Sequence, residues 1–169
     1  MRVSIRATDN TLELIHDIMV QISRILAPTD GSSTSLKAEE MAITLAKQFN
    51  GEIRFIHVVW TPASQMPRKE ANVAFEVKDW EKSKEEDVVS AKNYLHNALK
   101  SAEKDKVTAS AQLYRTTYSV RESICQIAHD LDVDIIVMGT KGRSLTRVIL
   151  GSVAVGVVTY ANRPVLVVR

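Results

Sequence analysis

Short apolar runs alternate along this chain with stretches whose apolar residues recur at helical spacing. The runs are Ile22–Ala27, Glu52–Trp60, Val107–Tyr114, Asp134–Met138 and Val165–Val168. Three of them, ISRILA, DIIVM and VLVV, are short and mostly apolar, as strands covered on both faces should be. Val107–Tyr114 instead alternates Val107, Ala109, Ala111 and Leu113 with Thr108, Ser110, Gln112 and Tyr114. That period of two predicts a half-exposed strand nearer a sheet edge.

Between the runs the period changes. Ala42, Leu45, Ala46 and Phe49 fall on one helical face, and Asn50-Gly51 supplies a left-handed stop. Ala91, Leu95, Ala98, Leu99 and Ala102 form a second stripe, and Val120, Ile124, Ile127, Ala128 and Leu131 a third. A fourth helix is predicted from Ser152 to Ala161, ended by the Asn162-Arg163-Pro164 turn. Such alternation predicts an α/β fold: one parallel sheet joined by right-handed crossovers, with helices on both faces. No internal repeat is visible.

Two segments do not fit that plan. Thr61–Val77 is long for a connection in a compact domain, the length expected of a lid, a binding loop or a mobile segment. Residues 1–20 form an N-terminal extension, helical in part, ahead of the α/β domain at 21–169. There Leu12, Ile15 and Met19 share a face, and Asn10 and Glu13 have capping-box spacing. The extension is read as packing on its own domain, as fraying, or as docking a protein partner.

A chain of 169 residues buries one full core. Apolar residues at 45% and charged residues at 25% are ordinary for a globular fold. The net charge of +2 is spread along the chain, without the clustered cations and aromatics of a nucleic-acid surface. Lys82, Lys84, Glu85, Glu86 and Asp87 mix both signs, as a solvated helix face does. The lone Cys125 has no disulfide or zinc partner and reads as a small filler on the third helix, which suits a reducing cytoplasm. No stretch has the length of a membrane span, and the N-terminus lacks a signal peptide's apolar region.

In an open parallel sheet, ligands bind beyond the carboxyl ends of the strands. Pro28-Thr29-Asp30-Gly31-Ser32 follows the first strand. Gly139-Thr140-Lys141-Gly142-Arg143-Ser144 follows the fourth and leads to Gly151-Ser152 at a helix start. Glycines leave N–H groups approachable by phosphate oxygens, and the helix start adds unpaired N–H groups and a favourable dipole. Lys141 and Arg143 add positive charge. The same residues also suit a plain turn and a helix cap, so on spacing alone both uses stay open. The loop matches neither a Walker A motif nor a Gly-x-Gly-x-x-Gly fingerprint.

ILAPTDGS at Ile25–Ser32, HVV at His57–Val59, IIVMGTKGRS at Ile135–Ser144, ILGSVA at Ile149–Ala154 and the final RPVLVVR resemble the universal stress protein family. The resemblance runs from about Val20 to Arg169. Its most specific part is the pattern Gly-x2-Gly-x9-Gly-Ser/Thr, present here as Gly139, Gly142, Gly151 and Ser152 with eight residues in the longer gap. It implies an adenine nucleotide alpha hydrolase-like fold, a five-stranded parallel sheet in order 3-2-1-4-5. It also implies a regulatory or stress-response module that binds ATP or ADP, with Mg or Mn on the phosphates. Matched by motif, Pro28, Thr29, Asp30 and Val58 would hold adenosine. Met138, Gly139, Gly142, Arg143, Gly151, Ser152 and Val153 would surround the ribose and phosphates. A homodimer through the C-terminal strand is implied as well.

The same residues also suit other uses. Asp30 also suits a turn or a helix cap, and His57 a satisfied core histidine. The hydroxyl-rich Thr29–Thr34 stretch would suit the phosphate of a flavodoxin-like flavin protein, with Trp60 or Tyr118 flanking the ring. A family member acting as a dimeric scaffold without nucleotide is the other alternative. The sequence shows no nucleophile elbow, no His-Glu-x-x-His and no paired acids at catalytic spacing, which leaves at most a slow ATPase.

Overall fold

A computed structural model of the chain describes residues 21–61, 74–76, 86–140 and 150–169. The extension at 1–20, Gly142, Arg143, most of Thr61–Val77, and Lys82, Lys84 and Glu85 of the charged block lie outside these residues; Glu86 and Asp87 begin a helix. The elements are β1 (Arg24–Pro28), α1 (Ser33–Phe49), β2 (Glu52–Trp60), β3 (Ala74–Glu76), α2 (Glu86–Lys104), β4 (Ala109–Thr116), α3 (Val120–Asp130), β5 (Ile135–Gly139), α4 (Ser152–Tyr160) and β6 (Val165–Val168). Five strands are parallel and lie in the order β4-β2-β1-β5-β6, which is 3-2-1-4-5 when only the parallel strands are counted.

One strand was not anticipated. Ala74–Glu76, inside the segment expected to be a loop, pairs antiparallel with β4 in the register Ala74↔Tyr114. Three residues are too few to display a period, and only the unpaired edge of β4 makes them a strand. Within β4 the expected alternation holds, with Ala111 and Leu113 buried and Ser110 exposed.

Side-chain alternation divides the core between the two faces of the sheet. On one face Ile25, Ala27, Ile53 and Phe55 meet the alanine stripes of α1 and α2. On the other, Leu26, Ile56, Ile136 and Met138 meet Ile124, Ile127 and Ala128 of α3 and Ala154 and Val157 of α4. Alanine at Ala38, Ala42, Ala46, Ala91 and Ala98 lets helix backbones settle close to the strands.

Local signals set the ends. Ser32 caps α1 by accepting from the Ser35 N–H at 3.2 Å, and Asn50 ends it in the left-handed region at φ 53°. Ser119 and Glu122 form a capping box on α3, and those hydrogen bonds hold the Glu122 carboxyl below its usual range. At the amino end of the sheet, Asp134 accepts from the N–H groups of Ser23 and Arg24, while Asp132 pairs with Arg24 and Arg163. Cys125 is half-buried on α3 and burial raises its thiol pKa, which suits a filler. Among the described residues no helix is long and apolar enough to cross a membrane.

Candidate functional site

Strand order reverses between β1 and β5: the crossover from β1 leads to β2 on one side, and that from β5 leads to β6 on the other. Loops leaving neighbouring strands in opposite directions cannot fill the space between them. A cleft of about 230 Å³ opens there, at the carboxyl ends of the strands.

Its first wall is the turn after β1. The Thr29 N–H donates to the Ile56 carbonyl at 2.8 Å, continuing the sheet ladder. His57 Nδ1 lies 2.6 Å from the Thr29 carbonyl oxygen, so this nitrogen carries the proton and donates it. The Thr29 hydroxyl donates to the Glu39 carboxylate on α1 and also lies 3.3 Å from Ser35 Oγ. Asp30 Oδ1 accepts from the Ser32 N–H at 3.0 Å, the turn-holding use anticipated for it. Between them Gly31 takes a φ of 73°, and a Cβ there would meet the ring of Tyr94 at 2.4 Å. Tyr94 in turn packs on His57, with ring centroids 5.9 Å apart.

The opposite wall comes from β5 and α4. The Thr140 N–H donates to the Val168 carbonyl at 2.9 Å, and the Gly151 N–H donates to the Thr140 carbonyl at 2.7 Å. The first residue after β5 and the start of α4 are therefore in contact. Gly151 is the N-cap of α4 and has no side chain to cap it, so the first N–H groups of the helix face the cleft without that partner. A positive dipole end and free donors at this position favour an anion.

Of the residues singled out in the sequence, Pro28, Thr29 and Asp30 line the cleft from β1, and Val58 from β2. Met138 and Gly139 line it from β5, and Gly151, Ser152 and Val153 from α4. Gly142 and Arg143 are outside the described residues. Trp60 and Tyr118, which a flavin would need beside its ring, do not line this cleft.

Val120 and Ile124 of α3 complete an apolar floor with Ile56, Val58 and Met138. They were legible only as part of a core-facing helical stripe. Nothing in that period distinguishes a residue facing the sheet from one at the rim of a cleft. Glu39 was also missed. It sits on the sheet-facing side of α1 and is 5% exposed. Burial raises its pKa above the ordinary 4.5; the Thr29 hydroxyl opposes that, and Asp30 and Glu40 add to it. Among the described residues there is no group of three potential metal ligands.

An apolar floor, a carboxylate on one wall and free N–H donors on the other can hold a ligand with an apolar, a hydroxylated and an anionic part. The sequence model described as Universal stress protein family matches residues 21–169. Universal stress protein MJ0531 of Methanocaldococcus jannaschii is 34% identical over 148 residues, covering 86% of this chain and 81% of that one. The solved structure of protein MJ0577 has a TM-score of 0.67 at 29% identity, covering 88% of this chain and 96% of that one. A universal stress protein from Archaeoglobus fulgidus in complex with dAMP has a TM-score of 0.64 at 18% identity, covering 89% of this chain and 100% of that one. With a family match across the whole α/β domain and relatives alike in sequence and fold, this chain belongs to the universal stress protein family.

Proposed function

We propose that this protein binds ATP or ADP in the cleft between β1 and β5 and acts as a nucleotide-responsive stress module. One observation carries the proposal: the Asp30 turn, the Val58 end of β2, the apolar pair Val120 and Ile124, and the uncapped start of α4 all line a single cleft. The base would lie on the apolar floor, since adenine is flat and stacks or packs on apolar side chains. Asp30 would face the ribose hydroxyls, because its Oδ1 already holds the turn and leaves Oδ2 for a ligand. The phosphates would meet the N–H groups at Ser152 and Val153, with Gly142 and Arg143 contributing from the loop. A divalent cation, Mg or Mn, would accompany the phosphates and neutralise part of their charge. The dAMP bound by the Archaeoglobus fulgidus protein supports the ligand class.

The same protein is proposed to be a homodimer through β6. Val165–Val168 is an edge strand, half-buried along its length. Beside it Val155, Val158 and Tyr160 of α4 are exposed. A bare apolar edge invites pairing, and a two-fold axis satisfies it with one self-complementary patch. A cytoplasmic setting and an accessory protein partner for residues 1–20 belong to the same proposal.

Calorimetric titration with ATP, ADP and, as a control, GTP tests the nucleotide assignment. Binding of ATP or ADP should also raise the melting temperature, by about 2.7 kcal/mol of stabilisation at a hundredfold excess over Kd. No heat and no melting shift with millimolar adenine nucleotide would defeat it.

A further inference from the structure

We propose that Glu39 is a positioning residue of the nucleotide cleft, holding Thr29 and through it the turn that presents Asp30. The inference rests on the nucleotide assignment above and adds a residue outside the cleft lining. Glu39 lies on the buried face of α1 with Ser35, Ala38, Ala42 and Ile43, where the helix packs on the sheet. A buried carboxyl is costly unless a hydrogen bond compensates it, and burial does hold this one toward its neutral form. Its partner is the Thr29 hydroxyl, which is itself buried.

That contact decides how the turn is built. Thr29 is held through its N–H by Ile56, through its carbonyl by His57, and through its hydroxyl by Glu39. The hydroxyl has one proton. With that proton directed to Glu39, its lone pairs are left to accept the Gly31 N–H, 3.3 Å away. The Gly31 bond helps keep the backbone at its positive φ directly after Asp30. Without the carboxyl, the proton has Ser35 Oγ at 3.3 Å as its remaining acceptor, a longer bond in a different direction. A buried carboxyl coupled by a hydrogen bond to the turn that presents Asp30 is the arrangement expected of a group that serves the site.

The proposal is tested with Glu39→Leu, Glu39→Gln, Thr29→Val and the Leu/Val double variant in the full chain. ATP affinity is measured by calorimetry and stability by thermal melting. Glu39→Leu should weaken ATP about tenfold, the worth of one buried hydrogen bond, without lowering the melting temperature. Glu39→Gln keeps an oxygen for the Thr29 hydroxyl and should stay within about threefold of wild type. Thr29→Val should lose as much as the Leu variant, and the double variant no more than either. A Leu variant that binds like wild type overturns the assignment of Glu39, and so does a Gln variant as weak as Leu or a double variant with additive losses. Wild-type protein that binds no ATP would remove the nucleotide assignment and this inference together.

Discussion

A Cβ on Gly139 would stand 2.7 Å from the carbonyl carbon of Thr34, so the end of β5 and the first turn of α1 meet at a distance that only glycine permits. In the sequence this glycine counts as the first of a phosphate-binding pattern. In the fold it also lets a helix start rest against a strand end. Because the two nearest obstructing atoms, Ser35 N and the Thr34 carbonyl carbon, belong to the backbone, a side-chain rotation cannot relieve the contact. Gly139→Ala should therefore destabilise the fold by about 1–3 kcal/mol, as an overpacked site does. Denaturant unfolding checks this; a variant as stable as wild type would show that the contact relaxes freely.

Glu39 should impose a pH dependence on stability. Burial places its folded-state pKa above the unfolded 4.5, so ionising it favours the unfolded chain. Its contribution is thus fully present below the unfolded pKa and is lost as pH rises through the folded one. Glu39→Gln should flatten that part of the profile and raise the melting temperature at neutral pH relative to wild type. Melting curves of both proteins between pH 4 and pH 8 decide it, and parallel profiles would count against a perturbed Glu39.

At the two walls of the cleft, different substitutions should weaken nucleotide binding for different reasons. On the proposed binding mode, Asp30→Ala removes the carboxylate that would face the ribose, worth about tenfold in affinity. Gly151→Val adds bulk at the start of α4. The backbone there is extended at φ −72°, which valine adopts without strain, so the fold should survive. Its loss of affinity, at least about tenfold, would come from steric exclusion of phosphates. Competition by inorganic triphosphate separates the two, since it should sense Gly151→Val and not Asp30→Ala.

Assembly has its own test. Val167 is half-buried on the outer strand, in register with Met138 of β5. Val167→Lys places charge on the proposed two-fold interface and should shift a dimer to monomer in sedimentation at micromolar concentration. A full-length wild-type chain that sediments as a monomer would defeat the interface. A dimer lost only when residues 1–20 are removed would transfer it to the extension.

The periods of two and 3.6 along the chain determined the five parallel strands and four helices, because burial on one or two faces leaves its mark residue by residue. β2 and β6 begin and end where the apolar runs do. The remaining strands shift by one or two residues, since hydrogen bonding sets their ends and hydrophobicity does not. The Gly139, Gly151 and Ser152 motif and the Thr29-Asp30 turn were legible as well, because such loops need special residue types. What the sequence could not decide was which side chains meet across the fold. The three-residue β3 exists only because β4 offers it an edge. Val120 and Ile124 reach the cleft floor only through the placing of α3, and Gly139 is required by a helix over a hundred residues earlier in the chain. The pairing of Thr29 with Glu39 crosses from a loop to a helix face that, on its period alone, should be apolar. These are contacts between separate elements, and their energies depend on distances and burial that no local period encodes.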